Sequence, residues 1–237
     1  MHIHDLLEAR SSGSNGSAYD SDSDDEYDNN MDDVANADIP GGIYSKLIAD
    51  GYKFLGAGAE QAAFLEPRTG LVLKIFGNRT GYHGMTGNQE LFKKWANFCM
   101  LPGNKDNPFL PMFYGWTKFQ YQNRTYLQIR CERLFPANPS YAVKGISFGN
   151  YLADLADAAE DEPYNDTVYK GQQQFNQLVL LVGGEEQFKL LWNTIHKIAN
   201  FGRKNNMSLD LHNENFMLGS DGKPVINDPF YGHSFDY

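Results

Sequence analysis

The sequence predicts an α+β protein whose β-rich first half precedes a helical second half. Two observations lead there. Runs of period-two apolar alternation, broken by glycine and proline turns, crowd residues 52–76 and recur to about residue 134. Apolar residues then switch to spacings of three and four, at Phe188, Leu191, Trp192, Ile195, Ile198 and Ala199 within Glu185–Lys204. Strands grouped ahead of helices fit two lobes better than alternating βα units. A chain of 237 residues, 41% hydrophobic and 14% aromatic, is apolar enough for a real core and long enough for one ordinary domain or two small lobes sharing a cleft.

In chain order, residues 1–42 read as a disordered acidic tail. The stretch 11–40 is built from Ser, Gly, Asn, Asp and Glu and buries too little apolar surface to offset its ordering entropy. Order is expected to begin near Ile43, with a first lobe over 43–134 and a second over 135–237. Tyr44–Asp50 reads as a short helix ended by Gly51. Tyr52–Leu55, the Gly56-Ala-Gly58 turn, Ala62–Leu65, the Pro67–Gly70 turn and Leu71–Phe76 read as a β-meander. A glycine-rich loop over 77–87 leads to a helix near 88–100, and strands are expected at 110–117 and 124–134. Beyond Pro136, residues 148–159 read as a helix and 160–172 as a loop. The amphipathic helix Glu185–Lys204 is expected to end at Gly202 and Asn205-Asn206.

Charge and cysteine content exclude several functions. Residues 1–40 hold 11 acids and one arginine, whereas 41–237 hold 19 acids and 19 bases, so the net charge of -10 belongs to the tail. A basic nucleic-acid footprint is absent, and nucleic acid is not expected as a partner. The tail instead suits a basic partner protein, and Ser21 and Ser23, set among acids, suit phosphorylation. Cys99 and Cys131 make neither a disulfide framework nor a zinc set and fit a reducing cytoplasm. No run of about 18 apolar residues and no basic-then-apolar leader is present, so a membrane location is not expected. His2 and His4 lack a supporting ligand set. Trp95, Trp116 and Trp192 read as core residues.

Three oxygen-bearing residues carry the chemical signal. Asp210 and Asn215 lie five apart in Ser208-Leu-Asp-Leu-His-Asn-Glu-Asn215, and Asp228 follows 13 later in Asn227-Asp228-Pro229. Between them Phe216–Leu218, a turn at Ser220–Pro224 and Val225-Ile226 predict a β-hairpin with a polar residue at each base. Such a hairpin brings Asn215 and Asp228 side by side, with Asp210 on the preceding loop. Hard Mg²⁺ prefers such oxygen ligands. Phosphoryl transfer requires a cation on the phosphate oxygens and a carboxylate to orient the attacking hydroxyl.

In these residues the chain resembles the protein-kinase superfamily. It is most similar to the early Ser/Thr protein kinases of coliphage T-seven and related podoviruses. The resemblance covers about residues 44–237 and is strongest over 205–230. It rests on Asp210-Leu-His-Asn-Glu-Asn215, Asn227-Asp-Pro229, the Leu55-Gly-x-Gly58 turn and the Val72-x-Lys74 strand. It implies a minimal two-lobed kinase-like fold with ATP and magnesium in the cleft. Asp210 would be the catalytic base, and Asn215 and Asp228 the magnesium ligands. Gly56 and Gly58 would let backbone approach phosphate. Lys74, oriented by Glu90 on the following helix, would meet the α/β-phosphates. Cys131, Glu132 and Leu134 would line the adenine hinge, Cys131 as gatekeeper. The acceptors implied are Ser/Thr hydroxyls of host proteins in the bacterial cytoplasm, and of the chain itself.

The chain also departs from that pattern. Gln61 stands at the third glycine position and Ser208-Leu209 replaces His-Arg before Asp210. His212 replaces the loop lysine, as in antibiotic phosphotransferases, and Pro229-Phe230 replaces Phe-Gly. Nine residues follow Asp228, too few for an activation segment or a peptide-binding lower lobe. A minimal protein kinase, one completed by an activating partner, a small-molecule phosphotransferase and a non-catalytic binder of a target protein are therefore all open on the sequence.

Overall fold

The computed structural model describes residues 30–58, 61–77, 87–136, 179–211 and 215–232. The readings made for most of the acidic tail, for His2, His4, Ser21 and Ser23, for residues 78–86, 148–159 and 160–172, and for His212 lie outside them. The architecture is mixed α+β, built on antiparallel sheet. The chain divides into two units. One comprises residues up to Gln89 together with Phe113–Glu132; the other comprises Glu90–Met112 and the chain from Arg133 onward.

The first unit holds α1 (Gly41–Ala49), β1 (Lys53–Ala57), β2 (Gln61–Leu65), β3 (Val72–Phe76), β4 (Phe113–Tyr121) and β5 (Arg124–Cys131). The strands form one antiparallel sheet in the order β1-β2-β3-β5-β4, which makes β3 central. Side chains alternate across a strand. One face therefore presents Ala62, Phe64, Leu73, Ile75, Phe119 and Tyr126 to Ile43, Tyr44 and Leu47 of α1. Tyr44, Phe54 and Phe64 meet there with ring centroids 5.5–6.2 Å apart. Gly51, at φ +84°, follows α1 and donates to Ile48 O, as its position after a helix predicts.

Order begins earlier than residue 43. Residues 30–36 are helical, and Val34, Ala37 and Ile39 are fully buried in the same core. The acidic composition of the segment conceals these three apolar residues, which pack on a core supplied by strands far along the chain. Gly77, at the end of β3, makes the approach possible: a Cβ there would lie 2.1 Å from Ala37 O. The exposed Arg124–Asp38 pair at 3.2 Å adds at most about 1 kcal/mol.

The second unit holds α2 (Gly87–Cys99, from Glu90 on), β6 (Phe135–Pro136), α3 (Glu185–Lys204), β7 (Met207–Leu209), β8 (Phe216–Leu218), β9 (Pro224–Ile226) and β10 (Phe230–Gly232). All six apolar residues predicted for the inner face of α3 are buried. The strand expected over 124–134 stops at Cys131, because Phe135 and Pro136 pair instead with Leu218 and Met217 of β8. Residues 90–112, expected in the first lobe, belong here. Their partners explain it: Asn107 Nδ2 donates to Thr194 Oγ1 at 2.7 Å, Phe109 O accepts from Ile226 N at 3.0 Å, and Phe98 meets Phe201 at 4.7 Å.

Gly202 does not end α3. It lies inside the helix, buried, and the helix closes at Asn205, followed by Asn206 at φ +53°. Its role is close approach: a Cβ would lie 2.9 Å from Phe230 Cε1 and 3.0 Å from Met207 O. In an open helix Gly→Ala gains about 1 kcal/mol. Here the Phe230 ring and the Met207 carbonyl would both have to shift, and Gly202→Ala is expected to destabilise by about 1–3 kcal/mol through overpacking. Urea unfolding tests the sign; a stabilised variant would show that the contact relaxes freely.

Candidate phosphate and metal site

In the second unit the three predicted oxygen residues converge on one hydrogen-bonded framework. β8 and β9 form the expected hairpin, with Phe216 opposite Ile226 and Leu218 opposite Pro224. Its turn is closed by Gly219 N to Lys223 O at 2.9 Å and by Gly222 at φ +77°. The ladder continues one step below the strands, where Asn227 N donates to Asn215 O at 2.8 Å.

A second ladder meets the same segment from its other end. β7 pairs antiparallel with β10, Leu209 opposite Phe230. It too continues one step, through Asp210 N donating to Pro229 O at 2.7 Å. Proline lacks an N–H but offers its carbonyl, so it fits a position that only accepts. The Asn215 side chain closes the framework, with Nδ2 donating to Asp210 O at 2.6 Å. Asp228 thus sits between two residues, 227 and 229, whose backbones are tied to Asn215 and Asp210. All three side chains are half-buried, supported by protein yet reachable from solvent.

The donor set suits a hard cation. Asn215 turns its amide nitrogen to Asp210 O, which sets the amide oxygen on the opposite side, and Asp228 brings a carboxylate. Among the described residues no group of three or more His, Cys, Asp or Glu could hold a metal. Magnesium commonly takes one or two protein oxygens and completes its octahedron with phosphate and water. Asn215 and Asp228 fit that mode.

In the first unit Lys74 lies on the central strand, opposite Ala63 of β2 and Ile129 of β5, and is only 7% exposed. It is not a surface lysine at a sheet edge. Lysine is seldom buried to this degree. Val72 and Phe76 share its face, away from the α1 core. Cys131 pairs with Val72 on that face and is buried; burial pushes its thiol pKa up, and Lys74 partly opposes the shift. Glu132 and Leu134 are half-buried and follow β5, where the chain passes from one unit to the other.

The glycine turn is present. Gly56 has φ +146° at a register shift between β1 and β2, a conformation that favours glycine, and Gly58 N donates to Gln61 O. A Cβ on Gly56 or Gly58 would meet no described atom within 4 Å. Glu90 lies in the first turn of α2 and pairs with Lys93 at 3.1 Å. It belongs to the second unit and Lys74 to the first. Trp95 joins the same hydrogen-bonded framework: its Nε1 donates to Asn227 O at 2.9 Å. No local signal could reveal a bond spanning 132 positions.

No family model matches this sequence, and no curated protein matches it.

The framework makes a structural prediction independent of activity. Asn215→Asp preserves size but sets an acceptor against Asp210 O, and is expected to cost about 1–3 kcal/mol. Equal urea midpoints for the variant and the wild type would show that this hydrogen bond holds nothing together.

Proposed function

We propose that the chain transfers the γ-phosphoryl group of ATP to Ser or Thr hydroxyls of host proteins, and of itself, through a minimal kinase-like fold. The observation that carries this reading is the framework tying Asp210, Asn215 and Asp228 together at the predicted spacing. Asp210 orients the acceptor hydroxyl and receives its proton as the new O–P bond forms and the bond to the ADP oxygen breaks. Asn215 and Asp228 hold magnesium. When bound, the cation neutralises charge on the phosphate oxygens. By the resemblance, Lys74 is the residue for the α/β-phosphates and Gly56 and Gly58 supply the backbone that approaches phosphate. Cys131, Glu132 and Leu134 form the adenine end.

The protein acceptor rests on the resemblance to early phage kinases, and the phosphate chemistry rests on the site. One experiment separates them. The full chain is incubated with γ-labelled ATP and magnesium, alone and with bacterial lysate, beside Asp210→Ala. The proposal expects labelled protein, with the variant slower by about 10²–10⁴-fold, the usual contribution of a positioned base. Label recovered only in a small metabolite would assign a small-molecule phosphotransferase. Equal background from both chains would sink the enzyme reading.

A further inference from the structure

Trp95 is the residue of α2 that reaches the Asp228 segment. It is fully buried, and its one N–H donates to Asn227 O at 2.9 Å. Its ring also lies edge-on to Phe230, with centroids 5.7 Å apart and planes at 80°. Residues 227 and 230 flank Asp228-Pro229, so one side chain grips the chain on both sides of the aspartate. The ring is itself held, stacked on Phe98 at 5.4 Å, while Phe201 contacts both Phe98 and Phe230.

Resting on the phosphoryl-transfer reading above, we propose that Trp95 is a positioning residue for the metal-binding Asp228. A phenyl ring could fill much of the same core. The indole adds a donor directed at the carbonyl one residue before the aspartate. The same residue's N–H is tied to Asn215, the other proposed ligand. Trp95 therefore constrains the peptide that links the two ligands, and the cation finds both oxygens already placed. This preorganisation lowers the ordering cost of binding.

The test compares wild type with Trp95→Phe in the full chain by two readouts. Amide hydrogen exchange reports the framework directly. The variant is expected to speed exchange at Asn227 and Asp210 by about fivefold, the equivalent of one hydrogen bond, and to leave Gly219 at the hairpin turn unchanged. Calorimetric titration with magnesium and ATP is expected to show affinity weakened about fivefold or more. Unchanged exchange at Asn227 and Asp210 overturns the proposal, as does faster exchange with wild-type affinity for magnesium-ATP. If exchange responds but wild type binds no magnesium-ATP, the phosphoryl-transfer reading itself falls and takes the metal role with it. Should Trp95→Phe fail to fold, wild type labelled with 5-fluorotryptophan replaces it: the Trp95 fluorine resonance must move when magnesium and ATP are added, and a fixed resonance overturns the proposal.

Discussion

Two short antiparallel ladders meet at the peptide that carries Asp228. One comes down the β8–β9 hairpin and ends with Asn227 N on Asn215 O; the other comes along β7 and β10 and ends with Asp210 N on Pro229 O. Each bond is worth only about 1 kcal/mol net. Together they leave the backbone at 228 few alternatives, because both neighbours are fixed to different strands. The Asn215 amide ties the two ladders to one another through Asp210 O. Chemistry that needs three oxygens in a set relation requires such a frame, since a loop alone would hold each only loosely.

The frame depends in turn on the packing of its own unit. Phe230 begins β10 and lies against Trp95 and Phe201, and Gly202 leaves the room for it. A core of helix α3, helix α2 and β10 therefore sets the height of the strand to which Asp210 is tied. In the other unit a comparable logic places Lys74. The central position of β3 keeps the lysine away from an edge, and α1 with residues 30–39 covers the opposite face of the sheet.

Much of this was legible in the residues. The inner face of α3, the meander, its glycine turn and the hairpin between Asn215 and Asp228 follow from local periodicity and turn chemistry. The failures share one cause. Val34, Ala37 and Ile39 share a core with buried strand residues from Ala62 onward, Phe135-Pro136 pairs with a strand about 80 residues later, and residues 90–112 find partners beyond residue 190. Gly202 carried the signature of a helix end, yet its purpose is a contact with Met207 and Phe230. Local pattern has no access to such long-range partners, and the Trp95–Asn227 bond is hidden from it for the same reason.

The proposed cation site joins Asn215 and Asp228 on a prebuilt frame. The most direct measurement replaces magnesium with paramagnetic Mn²⁺, adds a non-hydrolysable ATP analogue and records amide resonances along the chain. The account predicts broadening centred on Asn215, Asn227 and Asp228 that Asp228→Ala abolishes. Broadening centred on the acidic residues before 40, and unchanged in Asp228→Ala, would contradict it.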